Sequence, residues 1–394
     1  MTLRSSLGFH TMTLSKFIFS DDTAQLIRDF QQYSRMTGSI KMYEDKHGNG
    51  VIKFFPEYRG MQWLICENVY IGDHRTWVTI INVEINPKIL GGVHDYITAA
   101  TYDDMEAAIA NFNLISKKIS PLLGTFDHYS IKRVDYCINF ALYELAPECT
   151  AEQMMNLIKR SDIPPSYKEW TRYDDTAHRM KSRPSSFYLM NNSVHINCYS
   201  KYMKLQEQNQ KNLKKGYPPI PLPVMEAARD IIRFEVQCKY RKTYALSHRN
   251  KKAKSDNVSN YKVLLSQDAC MDRINEYYNK TIGRGNWYTL QAAASLIRSH
   301  HFNRQKEHRL IDALQFVNQC RSIAKAKEAR QGNDLESFNR TLKDLFAIGI
   351  NPVTIPKEWG IGRTWGLLDA YYSKLAEERL DKQYAAIMDC IPQH

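Results

Sequence analysis

The apolar residues of this chain change their period along its length. Up to about residue 250, stretches that alternate every second residue are interleaved with stretches of helical spacing; beyond that point helical spacing runs almost throughout. Trp77–Asn86 (WVTIINVEIN) alternates and is rich in β-branched residues, and Pro87 ends it, so it predicts a strand. Ser130–Tyr143 (SIKRVDYCINFALY) and Asp230–Tyr240 (DIIRFEVQCKY) predict two more. Ser185–Tyr199 predicts a hairpin turning at Met190-Asn191-Asn192-Ser193. With Asn191-Asn192 as a two-residue loop, Leu189 would pair with Val194 and Tyr188 would face His195.

Met105, Ala108, Ile109, Phe112 and Ile115 fall on one helical face and predict a helix over Asp103–Ser120. Thr150 and Gln153 have capping-box spacing and open a helix to Arg160. Ser200–Lys215 reads as a charged helix closed by Gly216 and the proline-rich Pro218–Pro223. Further helices are predicted at Asp268–Asn279, Thr289–Arg298, Glu307–Ala329, Asp334–Ala347 and Ile361–Ala386. The expected class is α+β: residues 1–254 form a largely antiparallel sheet with flanking helices, and residues 255–394 an all-α domain.

Residues two apart on a strand share a face. In the first predicted strand Asn82, Glu84 and Asn86 lie opposite Ile81, Val83 and Ile85. In the second, Arg133, Asp135, Cys137 and Asn139 oppose Val134, Tyr136, Ile138 and Phe140. In the third, Arg233, Glu235, Gln237 and Lys239 oppose Ile232, Phe234, Val236 and Cys238. If the strands are neighbours, Glu84, Asp135 and Glu235 converge, and such carboxylates repel one another unless a cation offsets them. Mg²⁺ or Mn²⁺ would suit their oxygen ligands. The solvent side of an antiparallel sheet would show the same alternation.

The hairpin places Tyr188, His195, Asn197 and Tyr199 on one face. A phenol, with its pKa of about 10, needs a neighbouring base or a metal-polarised phosphodiester before it attacks. His195 and the acidic residues would supply these; two tyrosines packing in a hairpin is the plainer alternative.

Charge narrows the choice of partner. The 394 residues carry 54 Lys plus Arg against 42 Asp plus Glu, a net +12, which calls for a polyanion: nucleic acid or an acidic membrane surface. Between Ser200 and Lys254 there are fourteen cations and four anions, so one segment holds most of the surplus. Lys201, Lys239, Arg241, Lys242, Lys251 and Lys252 there, with Arg133 and Arg233 on the strands, form a candidate DNA-binding set. Binding of that kind would weaken steeply with salt; a solvated linker face is the alternative. The chain's 24 Tyr, 15 Phe and 6 Trp would suit unstacked bases.

No apolar run reaches the ~18 residues that span a bilayer, and Met1–Ser20 lacks the apolar core of a signal peptide. No helix shows a clean basic and apolar split, which disfavours a membrane surface. Eight scattered cysteines without a C-x-x-C pair read as reduced thiols of a cytoplasmic protein. Gly283-Arg284-Gly285 is too short for a phosphate-binding loop, no H-E-x-x-H occurs, and His195-Ile196-Asn197 offers one histidine where a His-hydrophobic-His pair would offer two.

Several segments resemble, in order, those of gene-two-type phage and plasmid replication proteins and rolling-circle initiators. They are Val83-Glu84-Ile85-Asn86-Pro87 with Leu90-Gly91-Gly92, Arg133–Asn139, Phe187-Tyr188-Leu189 with Cys198-Tyr199-Ser200-Lys201, Ile231–Val236 and Leu342–Trp359. The resemblance implies a metal-dependent tyrosine endonuclease that nicks one DNA strand at an origin, stays joined to the 5′ phosphate, and rejoins the ends later. It implies Tyr188 as nucleophile with Tyr199 as substitute, and Asp135, Glu235 and, as a weaker match, Glu84 as the acids that hold the divalent ion. Its partners would be origin DNA as duplex and single strand, with a second copy of the chain and host helicase and polymerase as further participants. Asn139 stands where relatives often have a second acid, and Met190-Asn191-Asn192 replaces a glycine-containing turn. A relaxase for conjugative transfer and a non-catalytic DNA-binding regulator are the alternatives.

Overall fold

A computed structural model of the chain describes residues 5–389 apart from 38, 45–47, 49, 56–59, 72–75, 94–96, 175–178, 183–185 and 249–259. Its strands, in chain order, are β1 Ser6–Phe19, β2 Ser39–Glu44, β3 Gly50–Phe55, β4 Met61–Ile71, β5 Thr76–Ile85, β6 Ser130–Ala141, β7 Lys168–Glu169, β8 Thr171–Asp174, β9 Arg179–Ser182, β10 Ser186–Met190, β11 Val194–Ser200 and β12 Ile231–Cys238. Ten of them form one antiparallel sheet in the order β2-β3-β4-β5-β1-β6-β12-β11-β10-β7, while β8 and β9 pair separately. The protein is α+β, as the alternation predicts.

The apolar side of each central strand is turned to one face of this sheet. Ile81, Val83, Val134, Tyr136, Ile138, Phe140, Ile232, Phe234 and Val236 are each fully buried there. The helix Gln267–Thr281 lies across β1, β6 and β12, and Ala151–Ile158 across β10, β11 and β12. Tyr278 stands edge-on to Phe140 and Phe234, at ring-centroid distances of 5.9 and 5.4 Å; such ring pairs add about 0.5–1.5 kcal/mol each beyond area burial. The predicted Thr150/Gln153 capping box is formed, each side chain meeting the other's backbone N–H.

The core continues without a break from the sheet into the helices as far as Tyr371. Two predicted helices differ from those observed. The run predicted over 307–329 is divided into Arg304–Cys320 and Ile323–Glu328, because Arg321 adopts a left-handed conformation (φ 62°) and Ser322 caps the second helix. The last helix begins at Leu367 rather than Ile361, since Arg363–Thr364 (β14) pairs with Trp287–Tyr288 (β13). The region from 255 onward is therefore helical with one short ladder, not purely α. The seven described cysteines are all free.

Candidate active site on the polar face of the sheet

The polar sides of β5, β1, β6, β12, β11 and β10 share the other face. Glu84 is paired with Thr13 and Thr13 with Arg133; Asp135 is paired with Gln237, and Gln237 with His195. Glu235 lies between Cys137 and Asn197, and Asn197 is paired with Tyr188. Directly paired side chains point the same way, so Glu84, Asp135, Glu235, His195, Tyr199 and Tyr188 all stand on one surface.

At its centre β1 carries a bulge. Phe9 pairs with Tyr136 and Met12 with Val134, which leaves His10 and Thr11 together opposite Asp135. A bulge of this kind re-aims side chains, and here it delivers two residues that no sequence pattern singles out. Thr11 donates its hydroxyl to Asp135 Oδ2 and accepts from Arg133 Nη2 at 2.8 Å. His10 Nδ1 lies 3.1 Å from Glu235 Oε1, which also accepts the Tyr199 hydroxyl at 2.7 Å. The bulge is braced by the segment Ile97–Ala100, whose Ala100 exchanges backbone hydrogen bonds with Phe9. Gly8 makes room for it: a Cβ at this position would stand 2.0 Å from the Ala100 carbonyl oxygen.

Burial dominates the electrostatics. It pushes the Asp135 carboxyl up to about 6, with Arg133 and Thr11 pulling against it and Glu235 adding to it. Burial also raises Glu235, but His10, Arg233, Tyr199 and Lys201 together outweigh it and hold this carboxyl below its usual range. The Tyr199 phenol is forced well above its usual value by burial and by Glu235. Burial, Arg233 and Lys201 drive His10 down to about 4 against the pull of Glu235. The ring keeps a third of its surface in water, which screens part of this effect, and the direction it leaves is a neutral imidazole at neutral pH.

The hairpin register differs from the prediction by two residues. Tyr188 pairs with Asn197, Leu189 with Ile196 and Met190 with His195. Asn191 causes the difference: its Oδ1 accepts from the N–H groups of both Ser193 and Val194, which moves the turn to Asn192-Ser193. An even shift leaves every side chain on its predicted face. The Tyr188 hydroxyl and His195 Nδ1 accordingly meet at 2.8 Å. Burial and the neighbouring Lys239 lower the His195 pKa, while Gln237 opposes them. Tyr188 and His195 are half-buried, whereas Tyr199 is 5% exposed with its hydroxyl committed to Glu235.

The three predicted acids are not equally placed. Asp135 and Glu235 are diagonal neighbours near the β1 bulge. Glu84 is exposed, and Arg133 stands between it and Asp135, 3.7 Å from the one and 3.3 Å from the other. Among the described residues no three of His, Cys, Asp and Glu are gathered so as to hold a metal ion. The oxygens nevertheless suit a hard cation in part, for Asp135 Oδ1 and Asn197 Oδ1 are buried and accept no hydrogen bond.

The predicted DNA-binding cations among the described residues divide into three groups. Arg233 is 0% exposed, so it is no surface phosphate ligand: its guanidinium binds Asn139 Oδ1 at 2.7 Å and the carbonyls of Ile97 and Thr98, with Glu235 3.6 Å away. Lys201 is likewise buried, and burial together with Arg233 lowers it to about 7. Both act as counter-charges inside the site, which corrects the expectation that they meet DNA directly. Arg133, Lys239 and Arg241 keep exposed or half-exposed positions. Lys242 instead pairs with Glu276 at 3.4 Å and lies over the Tyr277 ring. Lys251 and Lys252 fall outside the described residues.

Comparison with known proteins adds little to this geometry. No protein-family model matches the chain, and no curated protein matches it. Among solved structures it is similar to that described as "Structure of Rolling Circle Replication Initiator Protein from Geobacillus stearothermophilus", at 9% identity and a TM-score of 0.28, over 62% of this chain and 77% of that one. A likeness at that level carries no argument about function. No described helix is long and apolar enough to cross a membrane.

Proposed function

We propose that the chain is a DNA nicking and rejoining enzyme that initiates rolling-circle replication, with Tyr188 as its nucleophile. The observation that carries this reading is the 2.8 Å contact between the Tyr188 hydroxyl and His195 Nδ1. A half-exposed phenol resting on a neutral imidazole has the base it needs beside it. Tyr188 Oη attacks the phosphorus, its proton passes to His195, and the P–O3′ bond breaks. The 3′ oxygen takes a proton from solvent water as it leaves, giving a hydroxyl able to prime synthesis. The 5′ phosphate remains on Tyr188 as a phosphodiester, so the reverse attack by a 3′ hydroxyl restores the strand without an external energy source.

Asp135 and Glu235 would hold the divalent ion, Mg²⁺ or Mn²⁺, which when bound would polarise the phosphate and offset its developing charge. Glu84, blocked by Arg133, is left outside that set. His10 and Thr11 orient the two carboxylates, and Arg233 and Lys201 keep Glu235 ionised from below. Arg133 and Lys239, both half-exposed, would meet the DNA backbone.

The test is incubation with supercoiled plasmid carrying the chain's own origin and Mn²⁺. The expected product is nicked circles with protein on the 5′ end, lost in Tyr188→Phe and retained in Tyr199→Phe. Salt-sensitive binding without nicking, or full nicking by Tyr188→Phe, would overturn the assignment.

A further inference from the structure

One cavity lies away from the polar face. It is an open cleft of about 1330 Å³ on the helical side of the sheet, walled by the end of the helix Ala151–Ile158, the helix Leu290–Ser299 and the segment Thr354–Gly362. Small-molecule pockets usually occupy about 300–1,000 Å³ and are mainly apolar; this one is wider and charged. Lys159, Arg160, Arg298, Arg321 and Lys357 line it, against the single carboxylate of Glu358.

Two of these cations are partly neutralised from outside, Arg298 by Glu307 at 3.7 Å and Lys159 by Glu169. Arg321 and Lys357 have no carboxylate within ion-pair distance among the described residues, and both are exposed. Arg160 is fixed at the base of the cleft: its Nε donates to the Arg321 carbonyl at 2.9 Å and its Nη1 to the Thr354 carbonyl at 2.7 Å. Two arginines are thus held together with no acid between them.

The backbone at Arg321 adds a second, independent observation. It takes a left-handed conformation (φ 62°, ψ 1°) at the end of the helix Arg304–Cys320, a position where glycine or asparagine is usual. A side chain there costs about 1–2 kcal/mol relative to glycine. What Arg321 provides in return is a guanidinium at the rim of the cleft. Strain of this kind is characteristic of positions where the side chain is used.

We infer that this cleft is a second DNA site, which grips the phosphate backbone of a duplex while the opposite face of the sheet acts on one strand. The choice of DNA as the polyanion rests on the proposed function; the demand for a polyanion rests on the cleft itself. Because the two sites lie on opposite faces, duplex held in the cleft has to bend, or be opened, before one strand reaches Tyr188.

The experiment is equilibrium binding of the full chain to a labelled duplex of arbitrary sequence over a range of salt, since phosphate contacts need no particular sequence. Arg321→Glu/Lys357→Glu is compared with Lys117→Glu/Lys118→Glu, which makes the same change in net charge at two exposed positions of the helix Asp104–Ile119. The cleft variant should bind at least tenfold more weakly at low salt, with a slope of log affinity against log salt shallower by roughly 2, or about 0.9 for each phosphate no longer neutralised. The control should stay within about twofold of the unaltered chain. Equal weakening of the two variants, or no weakening in the cleft variant, overturns the assignment. Arg321→Ala, with circular dichroism as a check on folding, keeps the test valid if the double reversal unfolds. The outcome is separable from the nicking proposal: binding is read without chemistry, and Tyr188→Phe should bind the duplex as the unaltered chain does.

Discussion

The two faces of the sheet are made by the same strands and are opposite in character. Behind it, Phe140, Phe234 and Tyr278 interlock with no charged group between them. In front, Arg133 Nε, Asp135 Oδ1, His195 Nε2, Asn197 Oδ1 and Arg233 Nη1 are buried polar atoms without a hydrogen-bond partner. Such atoms cost stability. The helix behind the sheet has such atoms too, Tyr278 Oη and the Arg273 guanidinium, so what separates the two sheet faces is charge: ionisable side chains gather on the front strands and aliphatic and aromatic ones on the back. The contrast teaches that a period-two pattern can encode both faces at once, with odd and even positions assigned to different work.

The largest effect expected of a substitution is on the back face. Phe234→Ala should lower the unfolding free energy by about 3–5 kcal/mol, measured by urea denaturation; a loss under about 1 kcal/mol would contradict a close-packed back face. Gly8→Ala comes next. The added methyl meets the Ala100 carbonyl and should cost about 1–3 kcal/mol as the Ile97–Ala100 segment is displaced. Because that segment also supplies the carbonyls that hold Arg233, nicking should fall more than stability does.

Asp135→Asn sharpens the comparison through its sign. The carboxyl is raised to about 6 in the fold from an ordinary value of 3.8. The folded state thus binds this proton more tightly than the unfolded state, and the contribution, fully present below about pH 4, is lost as the pH rises through about 6. The substitution should therefore stabilise the protein at pH 8 by about 1–2 kcal/mol, leave it nearly unchanged at pH 4, and impair nicking. Thermal unfolding at the two pH values measures this, and destabilisation at pH 8 would contradict it. The smallest effect belongs to Arg321→Gly, which should raise stability by about 1 kcal/mol while weakening duplex binding. If stability and binding fall together, the arginine is structural.

Much of this is legible in the chain. β5, β6 and β12 alternate cleanly, and the acids at Glu84, Asp135 and Glu235 lie on the face that alternation assigns them. β1 is not legible, because its buried Phe9, Met12 and Leu14 are spaced by three and then by two. The bulge that interrupts its period is the same feature that hides His10 and Thr11; that irregular spacing is the one signal of it. Arg233 and Lys201 look like surface cations because no local pattern tells that Ile97 and Thr98 fold back over Arg233. The break at Arg321 has no glycine or proline to mark it. The cationic cleft is equally invisible, since its residues come from segments far apart in the chain.

The central place of β1 has a consequence for how the molecule is made. Its Thr13 pairs with Glu84 on one side and Arg133 on the other, so this strand leaves the ribosome well before either neighbour exists. At synthesis rates of about 5–20 residues per second it waits on the order of ten seconds for β6. Both edges of this strand are open to other nascent chains until β5 emerges, and one stays open until β6 follows. The yield of active protein should therefore depend on holdase chaperones and on slow translation beyond β6, far more than the thermodynamic stability of the finished fold would indicate.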